Sequence, residues 1–114
     1  MAETTGAPLI AASKVTGTNV YDVAGDKIGS VYDIMLDKVS GRALYAVMSF
    51  GGLLGLGAKY HPLPWDILKY NERLGGYEIN IGKSRLETAP SFESEFTWTP
   101  RNQSEIDSYY NVQR

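Results

Sequence analysis

The sequence contains no cysteine. Disulfides, thiolate nucleophiles and zinc–thiolate centres are therefore excluded, and the absence fits a reducing compartment. Histidine is reduced to one residue, His61. It sits between Tyr60 and Pro62, and nothing in the sequence brings an acid and an oxyanion pocket to it, so a structural or surface role is expected rather than triad chemistry. Basic runs are missing as well. Formal charge is -2 with both signs mixed along the chain, which removes the electrostatic drive toward nucleic acid. Long apolar runs are missing too. Leu9 to Ala12 is too short for a signal-peptide core or a membrane span, and the N-terminus carries Glu3 without a basic start, so a cytoplasmic protein is expected. Asp33 and Asp37, near Asp22 and Asp26, are not spaced as a calcium loop, and no cleft is indicated for a carboxylate pair. No metal and no cofactor is expected.

What is present is glycine and aromatic residue. Twelve glycines fall at turn positions rather than in one tract, and 43% of the 114 residues are hydrophobic. One core can be buried at this length, and the pattern favours a small all-β domain with tight corners. Residues 1–8 read as a loose tail and Leu9 to Val15 as a short strand or edge segment. Asn19 to Val23 is a strand with Val20 inward, and Ala24-Gly25-Asp26-Lys27 is a turn. Ile28 to Asp37 is a strand in which Ile34 and Leu36 alternate with Met35 and Asp37. Its apolar phase shifts between Val31 and Ile34, as a bent barrel strand requires, and Gly29 marks a bulge or bend. After the turn at Lys38-Val39-Ser40-Gly41, Arg42 to Phe50 is apolar on both faces and must be covered on both sides.

Tyr60 to Leu63 reads as a short strand confined to an edge or corner by Pro62 and Pro64. Trp65 to Leu68 reads as one helical turn with Trp65 as a core plug, and Asn71 to Gly76 as a turn. In Tyr77 to Ile81 the residues Tyr77, Ile79 and Ile81 point inward. Ser84-Arg85-Leu86-Glu87 fits a capping box with Ser84 at the N-cap. Thr99-Pro100 opens a last helix, whose stripe of Ile106, Tyr109 and Tyr110 needs either the barrel exterior or a second subunit to cover it.

The segment Phe50-Gly51-Gly52-Leu53-Leu54-Gly55-Leu56-Gly57 joins two of these strands. It lacks the Gly-Lys-Ser/Thr ending of a phosphate loop and the glycine order of a dinucleotide fingerprint, and no long helix follows it. Its leucines either plug the barrel mouth or stay exposed and dock a partner. At least one of Leu53, Leu54 and Leu56 is expected to be solvent-exposed.

Asp26-Lys27-Ile28-Gly29-Ser30-Val31-Tyr32-Asp33, Phe50 to Gly57, Pro62-Leu63-Pro64-Trp65 and Ala89-Pro90 together resemble the PRC-barrel family, over roughly residues 9–92. That family includes the cytoplasmic domain of the photosynthetic reaction centre H subunit, the C-terminal domain of a ribosome maturation factor, and stand-alone bacterial proteins. The resemblance implies a small, strongly bent antiparallel β-barrel with one or two short helices at its C-terminal side, followed by an extension over residues 93–114. It also implies a binding or adaptor module without catalysis. The transmembrane helix of the H subunit and the N-terminal domain of the maturation factor have no counterpart here, so their partners are not carried over.

The function expected is a non-enzymatic module that docks a protein through Phe50, Gly51, Gly52, Leu53, Leu54, Gly55, Leu56 and Gly57. The alternative is an RNA- or ribosome-associated factor, using Arg42, Lys59, Lys69, Arg73, Lys83 and Arg85 if the fold gathers them. A homodimer through the C-terminal stripe and a peripheral membrane contact are further expectations.

Overall fold

The computed structural model describes residues 8–50, 59–92 and 98–112. The first element is a helical turn, α1 (Ala12–Val15), where a short strand was expected. The Lys14 and Val15 amides donate to the Ala11 carbonyl. The local contacts win because Val15 can then plug the core at 3% exposure while Ala12, Ser13 and Lys14 face water.

Strand β1 (Asn19–Tyr21) is shorter than its apolar pattern, because Asp22 ends it. The Asp22 Oδ1 accepts from the Ala24 and Asp26 amides, and Gly25 takes φ +88°, a left-handed turn position that favours glycine. Strand β2 (Lys27–Leu36) and strand β3 (Ala43–Phe50) form the next hairpin. Its turn is held by the Asp37 Oδ1, which accepts from the Val39 and Ser40 amides. Strand β4 (Lys59–Pro64) pairs back on β3. A 3-10 turn (Trp65–Ile67) leads to β5 (Lys69–Asn71), a strand that went unread in the sequence, and β6 (Gly76–Glu78) follows. Helices α2 (Lys83–Glu87) and α3 (Pro100–Tyr109) complete the described chain.

The strands make one six-stranded sheet in the order β4-β3-β2-β1-β6-β5. All neighbours are antiparallel except β1 and β6, which are parallel. Among the described residues the sheet is bent but not closed, since β4 and β5 are its two edges. The bend comes from irregular register. β2 and β3 slip between Val31 and Asp33, where the apolar phase of the sequence shifts, and an extra residue there twists the strand. A second slip at Met35/Leu36 carries the strand off the core, so Leu36 is 55% exposed although its alternation reads as inward.

Gly29 is needed for close approach, since a Cβ there would overlap the Ser49 carbonyl oxygen of the neighbouring strand. Gly76 plays the same part in the parallel pair, with the Asn19 carbonyl oxygen 2.6 Å from where its Cβ would stand. The prolines of β4 fit their positions. Pro62 and Pro64 sit opposite Val47 and Tyr45, and proline has no N–H to donate. The outward side of that edge keeps the Tyr60 amide, which donates to the Phe92 carbonyl at 2.7 Å while the Phe92 amide returns a bond at 3.0 Å. The edge is therefore blunted against further strands.

Ala46 and Met48 of β3 face a core with Val15, Val20, Ile28, Val31, Leu63, Leu68, Tyr77, Ile79 and Leu86. Tyr45 and Val47 face the other way and are also buried. The two-faced apolar strand is covered as expected, and the added element is the C-terminal segment. Trp98 lies against the Tyr45 ring at 4.9 Å, and the Tyr45 hydroxyl donates to the Asp107 carboxylate at 2.5 Å. Ile106 is fully buried, so the apolar stripe of α3 is spent within its own chain.

Three further expectations need correction. The cap of α2 is Gly82, not Ser84, and no side chain bonds there. The strand expected over Tyr77 to Ile81 stops at Glu78; Ile79 still donates to the Tyr21 carbonyl, but Ile81 is only partly buried. Trp65 is half-buried at the rim, edge-on to Tyr77 at 5.7 Å, because the turn that carries it leaves the sheet there.

Candidate functional site

Phe50 and Lys59 are directly paired as the last residues of the β3–β4 ladder. The two residues that flank the segment 51–58 therefore stand side by side. Of the docking residues read in the sequence, Phe50 alone belongs to the described structure; Gly51, Gly52, Leu53, Leu54, Gly55, Leu56 and Gly57 lie outside the described residues. Phe50 is partly buried and packs on the core. Its ring meets that of His61 edge-on at 5.2 Å.

His61 is fully buried, and neither ring nitrogen has a hydrogen-bond partner among the described residues. Burial first, and the Lys59 charge second, push its pKa down from 6.5 to about 4, because both disfavour a second positive charge. It is a neutral, enclosed imidazole at neutral pH, placed against Phe50. On the outer side of the same strand Tyr60 stacks at a tilt on Tyr32 at 4.8 Å, and Tyr32 is 49% exposed.

Two of the aspartates act as turn formers. Asp22 and Asp37 hold the turns described above, and the carboxylate of exposed Asp33 accepts from the Ile34 amide. Backbone N–H bonds from Ser40 and Val39 hold the Asp37 carboxyl below its ordinary range. Among the described residues no group of histidine, aspartate and glutamate is arranged to hold a metal. Of the basic residues, Lys59 lies in β4 and Lys69 in β5, the two edge strands of the sheet. Lys69 and Arg85 do share a shallow cleft of about 470 Å³, but Asp22 and Glu78 line it too and offset their charge.

The sequence reading missed how the C-terminal segment is attached. The Arg85 guanidinium donates to the Tyr109 carbonyl at 2.8 Å and lies over the Tyr109 ring at 5.1 Å. The Tyr109 hydroxyl donates back to the Arg85 carbonyl at 2.6 Å. Only the aromatic stripe hinted at this, because the partners of these bonds lie far away in sequence. Burial raises the Tyr110 hydroxyl above its ordinary pKa, and that hydroxyl has no partner among the described residues.

Among the described residues no helix is long and apolar enough to cross a membrane. A search of curated proteins finds no match. The family model of the PRC-barrel domain matches residues 8–86, which covers the whole six-stranded sheet and most of α2. The bent sheet, the proline-blunted edge and this match lead to one assignment: the chain belongs to the PRC-barrel family.

Proposed function

We propose that this protein is a non-enzymatic binding or adaptor module that docks a protein partner through the segment from Phe50 to Gly57. The observation that carries the reading is the Phe50–Lys59 pairing. It sets the two residues that flank a glycine- and leucine-rich segment side by side on paired strands, as a presented loop requires. The composition of that segment, apolar and without a charged residue, suits contact with a protein surface rather than with phosphates. Absence of catalysis is part of the proposal. Its support is that the one histidine is sealed in the core and that Asp22 and Asp37 are committed to turns.

The test is a pair of measurements on Leu53→Asp, Leu54→Asp and Leu56→Asp. At least one variant is expected to melt within a few degrees of the parent while losing capture of the native-cell partner. Three variants that all unfold would make the leucines a barrel plug and end the docking proposal. A gel shift with structured RNA that strengthens at low salt would favour the nucleic-acid alternative instead.

A further inference from the structure

We infer that the cleft at the ends of β1 and β6 binds a free amino acid with an aliphatic side chain, its ammonium group at Asp22 and its carboxylate at Lys69 and Arg85. The cleft follows from the topology. β1 and β6 are parallel neighbours, with Tyr21 beside Glu78, and their chains part at that point. β1 turns back into β2, on its other side in the sheet, while β6 runs on toward α2. Chains that diverge from the carboxyl ends of adjacent parallel strands leave a crevice between them. Its volume of about 470 Å³ suits a small molecule. Two acids, Asp22 and Glu78, and two cations, Lys69 and Arg85, line it.

These four charges share one cleft, yet they form no ion pair with one another. Three of them are held by other groups. Asp22 is only 6% exposed, and its Oδ1 accepts from the Ala24 and Asp26 amides; its second oxygen has no hydrogen bond among the described residues. Glu78 accepts from the Asn71 side-chain amide at 3.1 Å, although Lys69 stands opposite it in register. Arg85 is fixed over the Tyr109 ring by its bond to the Tyr109 carbonyl, which leaves its remaining N–H donors to spend. Lys69 is exposed and makes no hydrogen bond among the described residues. A buried carboxylate with one oxygen unbonded gains most from a cation that brings N–H donors, and an ammonium group does so. A ligand of a single charge would be opposed by half of this site, whereas a zwitterion complements both halves. Ile67 and Ile81, partly buried residues of the same cleft, receive an aliphatic side chain. The site uses no residue of the glycine-rich segment, so its failure and that of the docking proposal are distinguishable.

The experiment titrates L-leucine into the isotope-labelled full chain and follows the amide resonances. Saturable shifts are expected at Asp22 to Ala24 and at Glu78 to Ile81. No saturable shift at millimolar leucine, or shifts on another face, would overturn the inference. Leucinamide, which lacks the carboxylate, and isocaproate, which lacks the ammonium group, are each expected to bind at least tenfold more weakly. Binding of either as tight as that of leucine would overturn the zwitterion assignment. Asp22→Asn keeps the oxygen that holds the turn and removes the charge. Binding at least tenfold weaker at an unchanged melting temperature is expected, and unchanged affinity would overturn the inference. Should that variant fail to fold, Lys69→Gln, at an exposed side chain, decides in its place: binding at least threefold weaker is expected, and unchanged affinity overturns the inference.

Discussion

His61 places an acid-sensitive group inside the core. Its folded pKa of about 4 lies below the ordinary 6.5, so the unfolded chain takes up a proton that the folded chain refuses. Above pH 6.5 both forms are neutral and the stability is complete. Between pH 6.5 and 4 it declines, by about 3 kcal/mol in all at ~1.4 kcal/mol per pH unit. Urea unfolding from pH 7.5 to 4 is expected to show this slope, and His61→Leu to remove its histidine component. A leucine there also removes two nitrogens that have no partner among the described residues, so the variant is expected to be no less stable at pH 7.

Gly29 is the second sensitive position, for a steric reason. A methyl group there collides with the Ser49 carbonyl across the β2–β3 pair, and backbone cannot rotate aside as a side chain does. Gly29→Ala is expected to lower stability by about 3 kcal/mol, at the high end for overpacking. Denaturant midpoints measure it, and an unchanged midpoint would mean that the strands stand further apart than described.

Helix α3 begins where the sequence says it should. The Thr99 hydroxyl accepts from the Asn102 amide at 3.1 Å, and Pro100 takes the first helical position. Thr99→Ala is expected to weaken the helix by about 1 kcal/mol. The loss should appear as faster exchange of α3 amides with little change in those of β3. Helix α2 gives the contrasting lesson. Ser84 and Glu87 spell a capping box, yet the helix starts two residues earlier, because burying Leu86 in the core outweighs a surface hydrogen bond of about 1 kcal/mol. Strand β5 was illegible for a related reason: Lys69-Tyr70-Asn71 has no apolar alternation, and only pairing with β6 makes it a strand.

For the molecule as a whole, the covering of one sheet face by α3 sets the expected solution behaviour. Ile106 of the stripe is fully buried, Tyr109 bonds to Arg85, and Tyr110 packs against the core, which supports a monomer. Light scattering of the full chain is expected to give the monomer mass of 12.6 kDa. Removing residues 93–114 is expected to expose Tyr45, Val47, Pro62 and Pro64 and shift the protein toward larger species. An unchanged mass after truncation would show that this face does not associate when bared.

The candidate site was legible only in part. The Phe50–Gly57 segment stands out because four glycines interrupt an apolar run, and its two anchors, Phe50 and Lys59, follow from the flanking strands. The enclosure of His61 was not legible, since a histidine between tyrosine and proline reads the same on an edge as in a core. Turn positions, the bent phase of β2, the two-faced β3, the edge prolines and the cap of α3 depend on residues a few places apart, and the amino-acid order alone determines them. The parallel contact of β1 with β6, the burial of His61 and the seating of α3 depend on partners distant in the chain, as Tyr45 and Asp107 are, 62 residues apart. Such contacts exist only once the sheet has curled, and so the tertiary structure decided them.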